Sequence, residues 1–333
     1  MRSYQTNSSP RTVLPNGPAD KTELSPETLR KLAGSLKDQW KRYRKQLRQC
    51  QRKVSERGVH DLRVETRRLL SLLHLLSPFL ASGRLSKAET ALKCHLDAFD
   101  DLRDIQVQLI AVRKLRKSFS AAQQFYRFLK KREARFCRST RKHSRQLRCK
   151  PLSRCIAACR QDVRSGQKHA DSPNANTLLV GAVTRAFNTA KKFRKNIDRN
   201  DPHTIHCTRI AFKKFRYMVE ALAGCLKWAD KSLLEQMRQY QGMMGDIQDA
   251  HVLLLAFERF FRKESLDPKP ASKLTHELLR RRQLLITKYI AEADRLNDFW
   301  PPLKQTAQIA YRRVVPDASR GQRLNPRGAA SPN

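Results

Sequence analysis

Two helix-sized stretches carry the same side-chain chemistry in the same register. VHDLRVETRRLLSLLHLL (59–76) and IHCTRIAFKKFRYMVEAL (205–222) each present a histidine, a cation three residues on, and a cation pair seven and eight residues on. In the first copy these are His60, Arg63, Arg67 and Arg68. In the second they are His206, Arg209, Lys213 and Lys214, to which Arg216 is added. At about 100° per residue, His60, Arg63 and Arg67 share one stripe of a helix, with Leu62, Leu69, Leu73 and Leu76 on the neighbouring face. The second copy sets His206, Arg209, Lys213 and Arg216 beside Phe212, Phe215, Val219 and Leu222. An arginine fork bonds two anionic oxygens at once, lysine adds a point charge, and imidazole adds a directional donor. A packed helix with such a stripe is a receptor for a polyanion. Most Lys/Arg runs are solvated faces, and KKREARFCRSTRKHSRQLR (130–148), charged around much of its circumference, reads as one. The two stripes do not, because both their charges and their angular positions are repeated.

Other chemistries find less support in these residues. His203 and His206 are three apart, but Pro202 makes His203 a helix-start residue, no HExxH occurs, and the surrounding cations repel Zn²⁺. His60-Asp61 looks like the His-Asp pair of metal phosphohydrolases, yet the second copy reads His206-Cys207, so the carboxylate is not part of the repeated element. Asp101, Asp104, Asp246 and Asp249 repeat as faithfully as the cations and read as partners that orient arginines, or as surface salt bridges. His74, His251 and the Cys155/Cys159 pair read as packing residues. No catalytic residue, metal or cofactor is assigned. The expectation is a binding protein, not an enzyme.

The elements that must carry these stripes are helical. Among 333 residues only 11 are glycine and Val/Ile/Thr alternation is scarce, which argues against sheet architectures. Ser25-Pro26-Glu27 opens a helix expected to run to about residue 56, where Gly58 breaks it. Further helices are expected to about 81, over 86–117, 119–148 and 151–166, then 177–198, 203–228, 231–264, 271–296 and 301–313. SGQKHADSPNAN (165–176) reads as a linker, and residues 1–24 and 314–333 as disordered tails. FDDLRDIQVQLI (99–110) matches MGDIQDAHVLLL (244–255) at an offset of 145, against 146 for the basic stretch. The expected fold is therefore all-α: two helical bundles of four to five helices each, 25–165 and 177–313, related by internal duplication about a pseudo-two-fold axis.

Charge narrows the partner. With 69 Lys+Arg against 30 Asp+Glu, the net charge is +39, a self-repulsion that an anion relieves. No apolar run approaches the roughly 18 residues that span a bilayer, and no secretory signal opens the chain. Reduced, mostly buried cysteines and a cytoplasmic location are expected.

H-x-x-R-x-x-x-[RK]-[RK] opening a helix in both halves, followed each time by an acidic block with a D-x-x-V-like step, resembles the CHAD domain (conserved histidine α-helical domain) over roughly residues 25–313. The resemblance implies two four-helix bundles with a basic surface or cavity between them that binds inorganic polyphosphate, and some members are associated with polyphosphate granules. Carried over by position, the binding residues are His60, Arg63, Arg67, Arg68, His206, Arg209, Lys213, Lys214 and Arg216. The family's basic residue ten positions after the histidine is present as Arg216, but Leu70 stands there in the first copy. The alternative is a nucleic-acid-binding helical protein, since such a charge attracts DNA or RNA regardless of design. A helix-turn-helix pattern and an exposed aromatic platform are both missing from the sequence, which disfavours specific readout.

Overall fold

The structure, a computed structural model, describes residues 24, 27–81, 83–167, 174–226, 228–264 and 267–300. Among these the fold is all-helical: α1 (Thr28–Arg52), α2 (Glu56–Leu75), α3 (Arg84–Asp97), α4 (Asp100–Arg113), α5 (Ser120–Gln146), α6 (Cys149–Gln167), α7 (Asn174–Lys195), α8 (Pro202–Leu222), α9 (Lys231–Lys263) and α10 (Pro268–Glu292). Of the expected tail 1–24 only Leu24 is described, and it is buried in the core; the rest of it, the tail 314–333, the helix 301–313 and the middle of the linker, 168–173, lie outside the described residues.

Local chemistry sets the ends of the two helices that matter most. Ser55 is the N-cap of α2, its hydroxyl accepting from the Gly58 N–H at 3.1 Å. The expected break at Gly58 thus falls earlier, at Lys53 to Ser55, and Gly58 lies within the first turn of the new helix. Asp201 caps α8 by accepting from the His203 N–H at 2.9 Å, and Pro202 fills the first helical position, where its missing N–H costs nothing. The helix expected over 86–117 is two. Ala98 and Phe99 interrupt it, and Asp100 and Asp101 open α4 where acidic side chains favour the N-terminal dipole.

Two buried clusters hold the helices together, and each draws on both halves of the sequence. The larger gathers Leu36, Tyr43, Leu69 and Leu73 with Phe212, Phe215, Leu222 and Tyr240. The smaller joins Leu109 of α4 and Phe125 of α5 to Phe257 and Phe260 of α9 and Leu274 of α10. Phe125 meets Phe257 edge-on with ring centroids 5.3 Å apart, a favoured aromatic geometry. Helix α2 lies directly against α8, with α4 against α2 and α9 against α8, and α4 and α9 also touch. The two basic stripes are thereby brought side by side between α4 and α9.

Candidate functional site

The first four turns of α2 and α8 bring His60, Arg63, Arg67, His206, Arg209 and Lys213 into one basic cluster. Helical spacing points all six away from the apolar stripes that bury Leu62 and Leu69 on one helix and Phe212 and Phe215 on the other. Lys213 is at the centre. Burial, and then the guanidinium groups of Arg67, Arg209, Arg63 and Arg216, hold its amine down to about 5. Burial holds Arg63 down to about 10, with Arg67 and Arg103 adding to the fall, while Asp104 and Asp97 oppose it. Arg67 is lowered by burial and by Arg209 and Arg103. His60 falls below the ordinary histidine range through burial, Arg103, Lys213 and Arg63, opposed by Asp61. His206 falls through burial, Arg209, His203 and Lys213, opposed by Gln248, and its Nδ1 is buried without a hydrogen-bond partner.

Among the described residues only one cation of this cluster is engaged in an ion pair. Arg63 is ion-paired with Asp100 at the start of α4. Among the described residues Arg67, Arg209 and Lys213 form no ion pair within 4.0 Å. Asp104 and Asp249, on α4 and α9, stand close enough to act on each other, and burial raises both above the usual carboxylate range against the pull of neighbouring arginines. A cluster of cations that suppress one another's charge is completed chemically by a ligand with several negative groups, spaced closely enough to meet them.

Of the remaining three residues expected at the site, Arg216 adjoins the cluster but is committed to other partners, and Arg68 and Lys214 lie apart from it. Arg216 is 5% exposed, donates to Gln241 Oε1 at 2.9 Å, is ion-paired with Glu220, and stacks on the Tyr217 ring with 4.3 Å to its centroid. Glu220 is also approached by Arg238 at 3.4 Å and by Arg68 at 3.9 Å. Arg68 in turn donates to Glu65, which accepts from Gln39 at 2.6 Å. Arg68 and Arg216 therefore belong to an ion-pair network tying α1, α2, α8 and α9. Lys214 points to a third place, where Glu89, Lys93 and Arg185 act on it and where burial and Lys214 itself bring His74 down to about 4.

One residue of the cluster was not foreseen. Arg103 of α4 acts on His60, Arg63, Arg67, Asp104 and Asp249. At the offset of 145 its counterpart is Gln248, so a search for repeated charges passes over it. Among the described residues no three His, Cys, Asp or Glu side chains come together as a metal-holding set, all eight cysteines are free, and no helix is long and apolar enough to cross a membrane. A cavity of about 550 Å³ lies apart from the cluster, between α9 and α10, lined by Phe261, Arg262, Thr275, His276 and Leu279 among others. It holds none of the stripe residues.

Fold and site together define an all-helical protein whose basic cluster is built on two repeated helices. The CHAD domain family model matches residues 33–258, and the chain belongs to that family. The fold is similar to that in the crystal structure of the CHAD domain from the plant Ricinus communis: TM-score 0.56 and 14% identity, over 85% of this chain and 93% of that one. It is also similar to PptA from Streptomyces chartreusis, with a TM-score of 0.50 and 14% identity over 86% of this chain and all of that one. At these identities the likeness is one of fold. No curated protein matches the chain in sequence.

Proposed function

We propose that this chain binds inorganic polyphosphate, without catalysis, through the cluster of His60, Arg63, Arg67, Arg103, His206, Arg209 and Lys213. The observation that carries the reading is the convergence of Arg63, Arg67, Arg103, Arg209 and Lys213 from α2, α4 and α8, of which only Arg63 has an ion-pair partner among the described residues. A linear phosphate polymer offers one negative group after another along a flexible backbone, which suits cations arrayed over two adjacent helices. Membership of a family associated with polyphosphate supports the same conclusion. The pseudo-two-fold relation of the halves is part of this reading: Arg63 answers Arg209 and Arg67 answers Lys213, so one ligand strand crosses equivalent positions on both helices. A cytoplasmic setting, on polyphosphate granules or free, follows from the same assignment.

The test is a competition between polyphosphate and single-stranded or duplex DNA matched for total charge, read at moderate salt. Polyphosphate is expected to displace DNA, and the double variant Arg67→Ala/Arg209→Ala to lose about a hundredfold in affinity while keeping its helicity, on the scale of two charge-assisted contacts. Equal competition, or full affinity in that variant, would move the function to bulk charge and to the exposed run at 130–148.

A further inference from the structure

The two halves differ at one position that changes what each arginine is able to hold. Matching 99–110 with 244–255 sets Asp100 against Gly245. In the first half Asp100 supplies a carboxylate to Arg63. In the second, the counterpart Arg209 lies over Gly245. A Cβ built on Gly245 would stand 3.5 Å from Arg209 Nε and 3.7 Å from Nη2, ordinary contact distances, so the guanidinium packs against the bare glycine and meets no side chain at that position. Arg209 Nε is buried and has no hydrogen-bond partner, and no carboxylate of the described residues comes within 4.0 Å of that guanidinium. Asp246 and Asp249, the next carboxylates along α9, feel Arg209 from beyond ion-pair distance. A glycine in mid-helix is unfavourable for the helix itself, so its effect here lies in the space it leaves.

We propose that Gly245 opens a phosphoryl seat on Arg209, where one phosphate unit of the ligand takes the place that the Asp100 carboxylate takes on Arg63. The inference rests on the polyphosphate reading above and refines it. The site is lopsided. Arg209 contacts the ligand through its fork, whereas Arg63 is already occupied and contributes mainly its field. Asp100 and Gly245 thus set which half grips first.

The experiment titrates the full chain with long-chain inorganic polyphosphate at several salt concentrations. Gly245→Asp places an internal carboxylate in the seat, and is expected to weaken binding about tenfold and to flatten the log–log salt slope by about one unit. Gly242→Asp adds the same charge one turn away on α9, at an exposed position with nothing within 4 Å of its Cβ, and is expected to change affinity by less than about twofold. Asp100→Ala frees Arg63 and is expected to tighten binding severalfold. Equal losses in the two glycine variants, or no change in Gly245→Asp with helicity intact, overturn the seat while leaving the proposed function standing. Absence of binding by the parent overturns the function itself. Should Gly245→Asp fail to fold, Asp100→Ala decides alone: a gain supports the seat and no gain overturns it.

Discussion

Lys213 shows how a single amine couples binding to pH. In the unliganded protein burial and four arginines hold it down to about 5, so it is neutral at physiological pH. A bound polyanion reverses the sign of its surroundings and returns it towards the ordinary lysine range. Between about 5 and that range, binding takes up a proton, and affinity rises as pH falls until it levels near the free-state value. His60 and His206 are also lowered and act in the same direction at lower pH. For the unliganded protein the sign is fixed too: the unfolded chain binds the extra proton, so stability rises with pH across the same window. Calorimetry near pH 8 in buffers of different ionisation heat is expected to show proton uptake on binding, and Lys213→Arg, charged throughout, to lose most of it. Lys213→Met is expected to raise the stability of the free protein by about 1–2 kcal/mol while weakening the complex.

At the scale of elements, the Glu220 network separates residues that look alike in sequence. Arg209 and Arg216 share one stripe on a helical wheel, but Glu220 and Tyr217 take Arg216 into the interior. Removing Glu220 leaves that buried guanidinium without its partner, so Glu220→Ala is expected to cost about 3 kcal/mol in urea or thermal unfolding with polyphosphate affinity little changed. Arg216→Ala belongs with it, as a loss of stability and not of binding. The sequence alone placed the starts of α2 and α8 within a few residues and set His60, Arg63, Arg67, His206, Arg209 and Lys213 on stripes that meet, because the repeated charges and the 3.6-residue apolar spacing agree there. Both helices end about six residues before the expected 81 and 228. It missed the interruption at Phe99, since Leu92, Phe99 and Leu102 continue the helical spacing across the break and all three are buried. It misassigned the stop at Gly58 because the signal that matters is the Ser55 hydroxyl, which accepts from that same glycine. Glu220, four residues after Arg216, and Glu65, three before Arg68, sit at helical pairing distance, but Gln241, Arg238 and Glu89 lie on other helices, about which spacing within one helix carries no information. Leu70, expected between the cationic and apolar stripes, is half-buried and packs against the main core.

At the scale of the whole molecule, the net charge of +39 is a strain that a polyanion relieves. Ligand at a hundredfold its Kd adds about 2.7 kcal/mol of stability, which for a chain of this size raises Tm by about 5 °C or more. Differential scanning with polyphosphate, set against the same phosphorus concentration as orthophosphate, is expected to show the rise only for the polymer.

The sharing of both buried clusters between early and late segments bears on how the protein is made. Phe125 finds Phe257 and Phe260 only after α9 has been synthesised, and Leu69 shares its cluster with Phe215 and Tyr240. At cellular translation rates the first six helices wait on the order of 10 s for the segments that cover them. During that interval the apolar faces of α2 and α5 are open to the solvent, next to long runs of lysine and arginine. The nascent chain is thus expected to stay open to proteases until its second half emerges. A ribosome-bound chain stopped after α6 is expected to be cleaved readily by protease, and one extended past α10 to resist it.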